Sequence, residues 1–152
     1  MERGKEKFEL EVVVDTNIII SALIPKYSKL RGVLLSGRIH AYAPEYLLKE
    51  LDKFWNIILI KAQKKGVGRS YVEFVKEELL SKVIFEPENF YLPGIERAYD
   101  ICKKFDEKDT PFIALSMLLR IPILTNDKGI IKNAGAYRVL SIEELFRLVE
   151  YG

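Results

Sequence analysis

Four acidic residues stand where chemistry is expected. Asp15 closes the apolar run Val12-Val13-Val14, and Asp127 follows Ile121-Pro122-Ile123-Leu124-Thr125-Asn126. Glu50 falls on the helix expected after a second strand, and Asp109 opens a helix at Asp109-Thr110-Pro111. Strand ends of a parallel sheet share one edge, and sites form in the crevice outside that edge. Asp15 and Asp127 are therefore expected to meet although they are distant in sequence. A carboxylate cluster with no His or Cys beside it suits a hard divalent cation, Mg²⁺ or Mn²⁺. Such a cluster suggests phosphodiester chemistry.

The elements that must position these groups follow from apolar periodicity. Leu10 to Val14 is a short β-branched run, read as a buried strand. Helices are expected over 18–23, ended by Pro25, and over 28–36, closed by Gly37. A strand over 39–43 leads into a helix begun by Pro44, with Leu47, Leu48, Leu51, Phe54, Trp55 and Ile58 at helical spacing. The basic stretch 61–69 carries Gly66 and Gly68 and reads as a turn. Ser70 with Glu73 is expected to cap a helix over 71–80 as a capping box. A strand over 83–85, a loop over 87–93 and a helix over 94–105 follow. Then come a helix over 112–119, strands over 121–125 and 137–140, and a last helix over 142–149 capped by Ser141 with Glu144. Short apolar strands alternating with helices predict an α/β fold, a mostly parallel central sheet of about five strands flanked by helices.

Composition removes several function classes. A length of 152 residues fits one domain over 1–152. A net charge of +2 gives no general attraction to nucleic acid, so any basic surface must be local. One cysteine, Cys102, excludes an internal disulfide, and one histidine, His40, excludes a Cys/His zinc site. A Ser-His or Cys-His hydrolase would depend on His40, which sits on an expected strand with no serine elbow. Cys102 reads as a core residue. No apolar run reaches the roughly 18–20 residues of a membrane span. Glu11 interrupts any signal-like core in the charged segment Met1 to Glu11, so a cytoplasmic protein without a membrane partner is expected.

Taken singly, each acid has a structural explanation. Asp15 and Asp109 are natural N-caps, Asp127-Lys128-Gly129 has turn chemistry, and Glu50 could be a solvated helix acid. Their local sequences say more. Val-Val-Val-Asp-Thr-Asn delivers a carboxylate, a hydroxyl and an amide (Asp15, Thr16, Asn17) at a strand end, and Ile-Leu-Thr-Asn-Asp repeats that logic. Asp109 precedes Phe112-Ile113-Ala114-Leu115, an apolar helix that must pack on the sheet with its N-terminus toward the crevice.

In these motifs nearly the whole chain resembles the PIN-domain ribonucleases. The family's strand-Asp-Thr/Ser-Asn opening is matched by Asp15, Thr16 and Asn17. Its glutamate after the second strand is matched by Glu50 in Pro44-Glu45-Tyr46-Leu47-Leu48-Lys49-Glu50-Leu51. Its Asp before an Ala-containing helix is matched by Asp109 and Ala114, and its strand-Thr-Asn/Gly-Asp by Thr125-Asn126-Asp127. Asp106 and Glu107 stand close enough to share or replace the role of Asp109, and Glu45 and Asp52 lie near Glu50. Asp15, Asp109 and Asp127 are the expected principal metal ligands, with Glu50 binding a second ion or orienting water. Thr16, Asn17 and Thr125 would hydrogen-bond ligands or phosphate from behind.

The resemblance implies single-stranded RNA as substrate and, for toxin-type members of a toxin–antitoxin pair, an antitoxin protein as partner. A homodimer is expected, as in many relatives. A housekeeping RNA-processing nuclease and a non-catalytic RNA- or protein-binding module are the alternatives. A phosphoaspartate phosphatase would want a second Asp where Asn17 stands. Lys61, Lys64, Lys65 and Arg69 form the densest basic stretch, with Arg31, Arg38 and Lys128 as further candidates for phosphate contacts. Lysines at a helix C-terminus closed by glycine explain the first group structurally. Tyr27, Tyr42 and Tyr46 could stack on bases or simply pack.

Overall fold

The computed structural model of the chain describes residues 9–151. Most of the charged segment Met1 to Glu11 therefore lies outside the described residues. The chain runs β1 (Leu10–Val14), α1 (Thr16–Leu23), α2 (Lys29–Leu35), β2 (Ile39–Pro44), α3 (Tyr46–Lys64), α4 (Arg69–Ser81) and β3 (Val83–Glu86). It continues through α5 (Glu88–Tyr91), α6 (Ile95–Cys102), α7 (Thr110–Leu119), β4 (Ile123–Leu124), α8 (Lys128–Lys132), β5 (Val139–Leu140) and α9 (Ile142–Tyr151).

The strands form one sheet in the order β3-β2-β1-β4-β5, with every neighbouring pair parallel. Val13 is in register with Tyr42 on one side and Ile123 on the other. Successive strand side chains point to opposite faces. Val12, Val13 and Val14 are nonetheless all fully buried, so helices cover both faces of β1. This burial explains the unbroken β-branched run, and it makes β1 the centre of the core.

Local sequence explains where elements begin. Ser141 and Glu144 form the expected reciprocal cap: Ser141 N donates to Glu144 Oε1 at 2.9 Å, and Glu144 N to Ser141 Oγ at 3.1 Å. The other expected box is absent. Helix α4 starts at Arg69 after Gly68, and Glu73 accepts from Arg69 Nε at 3.0 Å instead of closing on Ser70. Buried Val67, whose N donates to Ala62 O at 2.9 Å, pins the connection and sets the helix start two residues early. Lys61 and Lys64 also belong to the last turn of α3 rather than to a turn, which begins only at Lys65 with Gly66 at φ 78°.

Strands β4 and β5 are shorter than expected. Pro122 has no N–H and contributes only its carbonyl, which accepts from Val13 N at 2.9 Å. The expected loop after β3 contains the short α5, anchored by buried Tyr91. The turn after Asp127 is likewise helical, anchored by buried Ile130.

Arg31 is not a phosphate contact. It is buried, and its guanidinium donates to the carbonyls of Ala22 at 2.7 Å, Pro25 at 2.9 Å and Lys26 at 2.5 Å, closing the turn between α1 and α2. Arg31→Ala is expected to destabilise the fold by about 2–4 kcal/mol, since it orphans these carbonyls. A thermal melt within error of wild type would refute that structural role. Among the described residues no helix is long and apolar enough to cross a membrane.

Candidate active site

The strand order reverses at β1, whose partners β2 and β4 lead to opposite halves of the sheet. A crevice opens at such a point, beyond the carboxyl ends of the strands. Asp15 is the first residue after β1, and Thr125 the first after β4. Helix α3 starts beyond the end of β2 and brings Glu50 to the same edge, and Asp109 sits at the N-cap of α7. Asp15, Glu50, Asp109 and Asp127 all line one cleft of about 210 Å³, together with Thr16 and Asn17.

Each acid is held differently. Asp15 is buried; its Oδ1 accepts from Ile18 N at 2.9 Å, and its Oδ2 accepts from Thr125 Oγ1. It is thus an N-cap and a cleft carboxylate at once. Thr125, fully buried behind it, also accepts from Asp127 N at 2.9 Å, tying the ends of β1 and β4 together. Asp127 Oδ1 caps α8 through Ile130 N at 2.9 Å. Thr16 Oγ1 donates to Glu50 Oε1 at 2.5 Å, which locks α1 to α3. Asn17 is exposed at the cleft mouth.

Asp109 stands apart. By position it is the N-cap of α7, yet its side chain caps nothing, and Oδ2 is buried with no hydrogen-bond partner. Asp106 caps a separate 3-10 turn, Glu107–Asp109, that leads into α7, accepting from Lys108 N at 3.0 Å. Asp106 lines the cleft as well, but its side chain is exposed. Glu107, Glu45 and Asp52 are exposed and do not line the cleft.

Burial and mutual repulsion show in the acidities. Burial first, then the charges of Asp127, Asp106, Asp15 and Glu50, push Asp109 up to about 7. Burial raises Asp15 to about 6 against the opposing hydrogen bonds from Thr125 and Ile18, with Asp127 and Glu50 adding to the rise. Burial also raises Glu50, while Thr16 and Lys108 oppose the rise. Lys108, Phe54 and Phe112 line the cleft too, although their sequence settings do not single them out. Lys108 is flanked by acids in Glu107-Lys108-Asp109, where a local reading sees an ordinary charged turn.

The donor set suits a hard divalent cation in type and charge: every candidate ligand is an oxygen. A cation would also satisfy the orphaned Oδ2 of Asp109 and relieve the repulsion. As placed, no three Asp, Glu, His or Cys side chains among the described residues form a closed ligand set. The oxygens of Asp15 and one oxygen of Asp127 are engaged by the protein itself.

Other candidate groups lie elsewhere. His40 Nε2 faces Glu9 Oε1 at 3.2 Å on β2. Cys102 is buried, and burial raises its thiol to about 11, which makes it a poor nucleophile. Tyr42 OH donates to Glu11 Oε2 at 2.9 Å. Tyr46 packs edge-on against Phe112 with ring centroids 6.2 Å apart, while Tyr27 is 84% exposed. Arg38 donates to Val149 O at 2.6 Å.

The chain is an all-parallel α/β domain with a carboxylate cleft at its switch point. A protein-family model described as the PIN domain matches residues 13–141, a span that contains all four acids. The chain belongs to the PIN-domain family, whose members are generally nucleases. No curated protein is similar enough to the chain to count as a match.

Proposed function

We propose that the protein is a metal-dependent ribonuclease that hydrolyses phosphodiester bonds of single-stranded RNA. One observation carries the reading: four carboxylates from distant parts of the chain line one cleft, with a buried oxygen of Asp109 left unpartnered there. Asp15, Glu50, Asp109 and Asp127 would hold Mg²⁺ or Mn²⁺. When bound, the ion supplies a nucleophilic water at neutral pH and offsets charge on the scissile phosphate. The chain's own groups do the positioning. Thr125 and Ile18 N fix the Asp15 carboxylate, and Thr16 fixes Glu50, so both present settled oxygens to the cleft. Asn17 and Lys108, which line the cleft, would hydrogen-bond and neutralise the RNA backbone. Phe54 and Phe112 supply apolar walls that limit water.

We propose as its biological setting the toxin of a toxin–antitoxin pair, acting in the cytoplasm as a homodimer with a cognate antitoxin. Growth arrest on expression, absent with Asp15→Asn, would support the toxin role. Its absence would favour a housekeeping nuclease. The direct test is cleavage of a mixed single-stranded RNA by the purified protein with Mn²⁺, Mg²⁺ or EDTA. Cleavage with either ion and none with EDTA is expected. Folded protein that binds RNA but cleaves nothing under any of these conditions would overturn the reading in favour of a binding module.

A further inference from the structure

The cleft does not end at the acids. It shares Asn17 and Phe54 with a second cavity of about 280 Å³, whose lining includes Ile20, Ile57 and Lys61. That cavity in turn shares Lys61 with a third, of about 420 Å³, lined by Ser21, Ile24, Lys64 and Lys65. The three lie in a row along α1 and α3, each sharing lining residues with the next, and are called the groove below. The sequence spacing shows why. Asn17, Ile20, Ser21 and Ile24 fall at i, i+3, i+4 and i+7 on one face of α1 and its C-terminal end. Glu50, Phe54, Ile57, Lys61 and Lys64 fall at i, i+4, i+7, i+11 and i+14 on one face of α3.

Chemistry changes along the groove in a fixed order. It is acidic at the strand edge, apolar in the middle and basic at the far end. Ile57, in the middle, is 50% exposed. Lys61, Lys64 and Lys65 are exposed, and none makes an ion pair among the described residues. A helix C-terminus favours a cation within its last turn. That preference accounts for lysines at the end of α3, and all three also line the third cavity.

We infer that the groove between α1 and α3 is the track for the RNA strand flanking the scissile bond, its phosphates held by Lys61, Lys64 and Lys65. The inference takes its ligand class from the nuclease reading. Phe54 and the isoleucines offer sequence-tolerant surfaces to bases, and the lysines offer point charges to phosphates. Charge complementarity favours a polyanion, and continuity with the carboxylate cleft favours one that must reach it. Along α3, Glu50 and Lys64 are about 21 Å apart, which corresponds to at most roughly six stacked nucleotides.

The test uses cleavage-inert Asp15→Asn protein, with and without Lys61→Gln, Lys64→Gln and Lys65→Gln combined. Binding of a length series of single-stranded RNA is measured over a range of salt. Affinity is expected to rise with length up to about six nucleotides on one side of the cleft. The lysine variant should bind about tenfold more weakly at low salt, and its log K against log salt slope should flatten by up to about 2. A matching Lys→Arg triple should restore both. An unchanged slope and length dependence in the glutamine variant, shown folded by circular dichroism, would overturn the track. Loss of binding to a polyglutamate probe with RNA binding intact would overturn it in favour of an acidic protein partner. The same lysines in otherwise wild-type protein separate the two readings. Metal-dependent cleavage with unaltered KM leaves the nuclease and removes the track; lysine-dependent RNA binding without cleavage leaves the track and removes the nuclease.

Discussion

Asp15→Asn and Asp109→Asn are both expected to reduce metal-dependent RNA cleavage by about 10³-fold or more, and to diverge in stability. The divergence comes from how the two carboxylates are held. Asp109 Oδ2 is buried and unpartnered, and the side chain caps no helix. In the fold its acidity is pushed up to about 7 from an ordinary 3.8. A raised folded pKa means that the folded state holds the proton more tightly. The linked stability is complete below the unfolded value and is lost as pH rises through the folded one. The window is therefore about pH 4 to about pH 7.

Above that window the ionised Asp109 works against the metal-free fold. Solvent reaches part of this side chain, so the effect is on the order of 1–2 kcal/mol. An asparagine in its place would carry no charge and would break no hydrogen bond to Oδ2. Metal-free Asp109→Asn should melt above wild type at about pH 8, with the gap closing toward about pH 5. Asp15→Asn should gain little. An asparagine there keeps the cap to Ile18 N but turns an amide toward Thr125, whose hydroxyl then loses its acceptor. Added Mn²⁺ should raise the melting temperature of wild type more than that of either variant. Equal melting curves for wild type and Asp109→Asn across this pH range would refute the account of Asp109.

Thr125→Val should show how much of the site depends on a residue that never faces the cleft. Valine matches threonine in shape but lacks the hydroxyl, so the swap is not a neutral repacking. Thr125 Oγ1 donates to Asp15 and accepts from Asp127 N at 2.9 Å, bridging the ends of β1 and β4. Loss of both bonds at a fully buried position should lower stability by about 1–3 kcal/mol. Cleavage should fall about 10–100-fold, the range for groups that orient a metal ligand. Thr125→Ser keeps the hydroxyl and should recover most of the activity. A valine variant as active as wild type would mean that Asp15 holds its orientation without Thr125.

Local physics made much of this molecule readable from its residues. The β-branched run Val12-Val13-Val14 reads as a buried strand, and it is one, with all three valines fully buried. The Ser141–Glu144 box lies within one helical turn and forms as expected. The acids ending β1 and following β4 had to share an edge once the sheet was parallel, and both line one cleft. Other features depended on contacts between distant segments. Nothing around Asp109 in sequence says that its side chain will leave α7 uncapped and bury an unpartnered oxygen, because packing of α7 against the sheet sets that geometry. Arg31 reads as a surface cation until the turn after α1 wraps three carbonyls around it. Ser70 and Glu73 have the spacing of a capping box, but burial of Val67 moved the helix start. Capping and propensity contribute about 1 kcal/mol or less, whereas burying a large apolar side chain contributes about 1.5–3 kcal/mol. Where the two disagree, packing decides. Strand identity, side-chain chemistry and the chain order of the four acids are local properties, already legible before any folding. Which acid goes unpartnered, and which faces of α1 and α3 open into a groove, depend on how distant segments pack, and these emerge only in the folded chain.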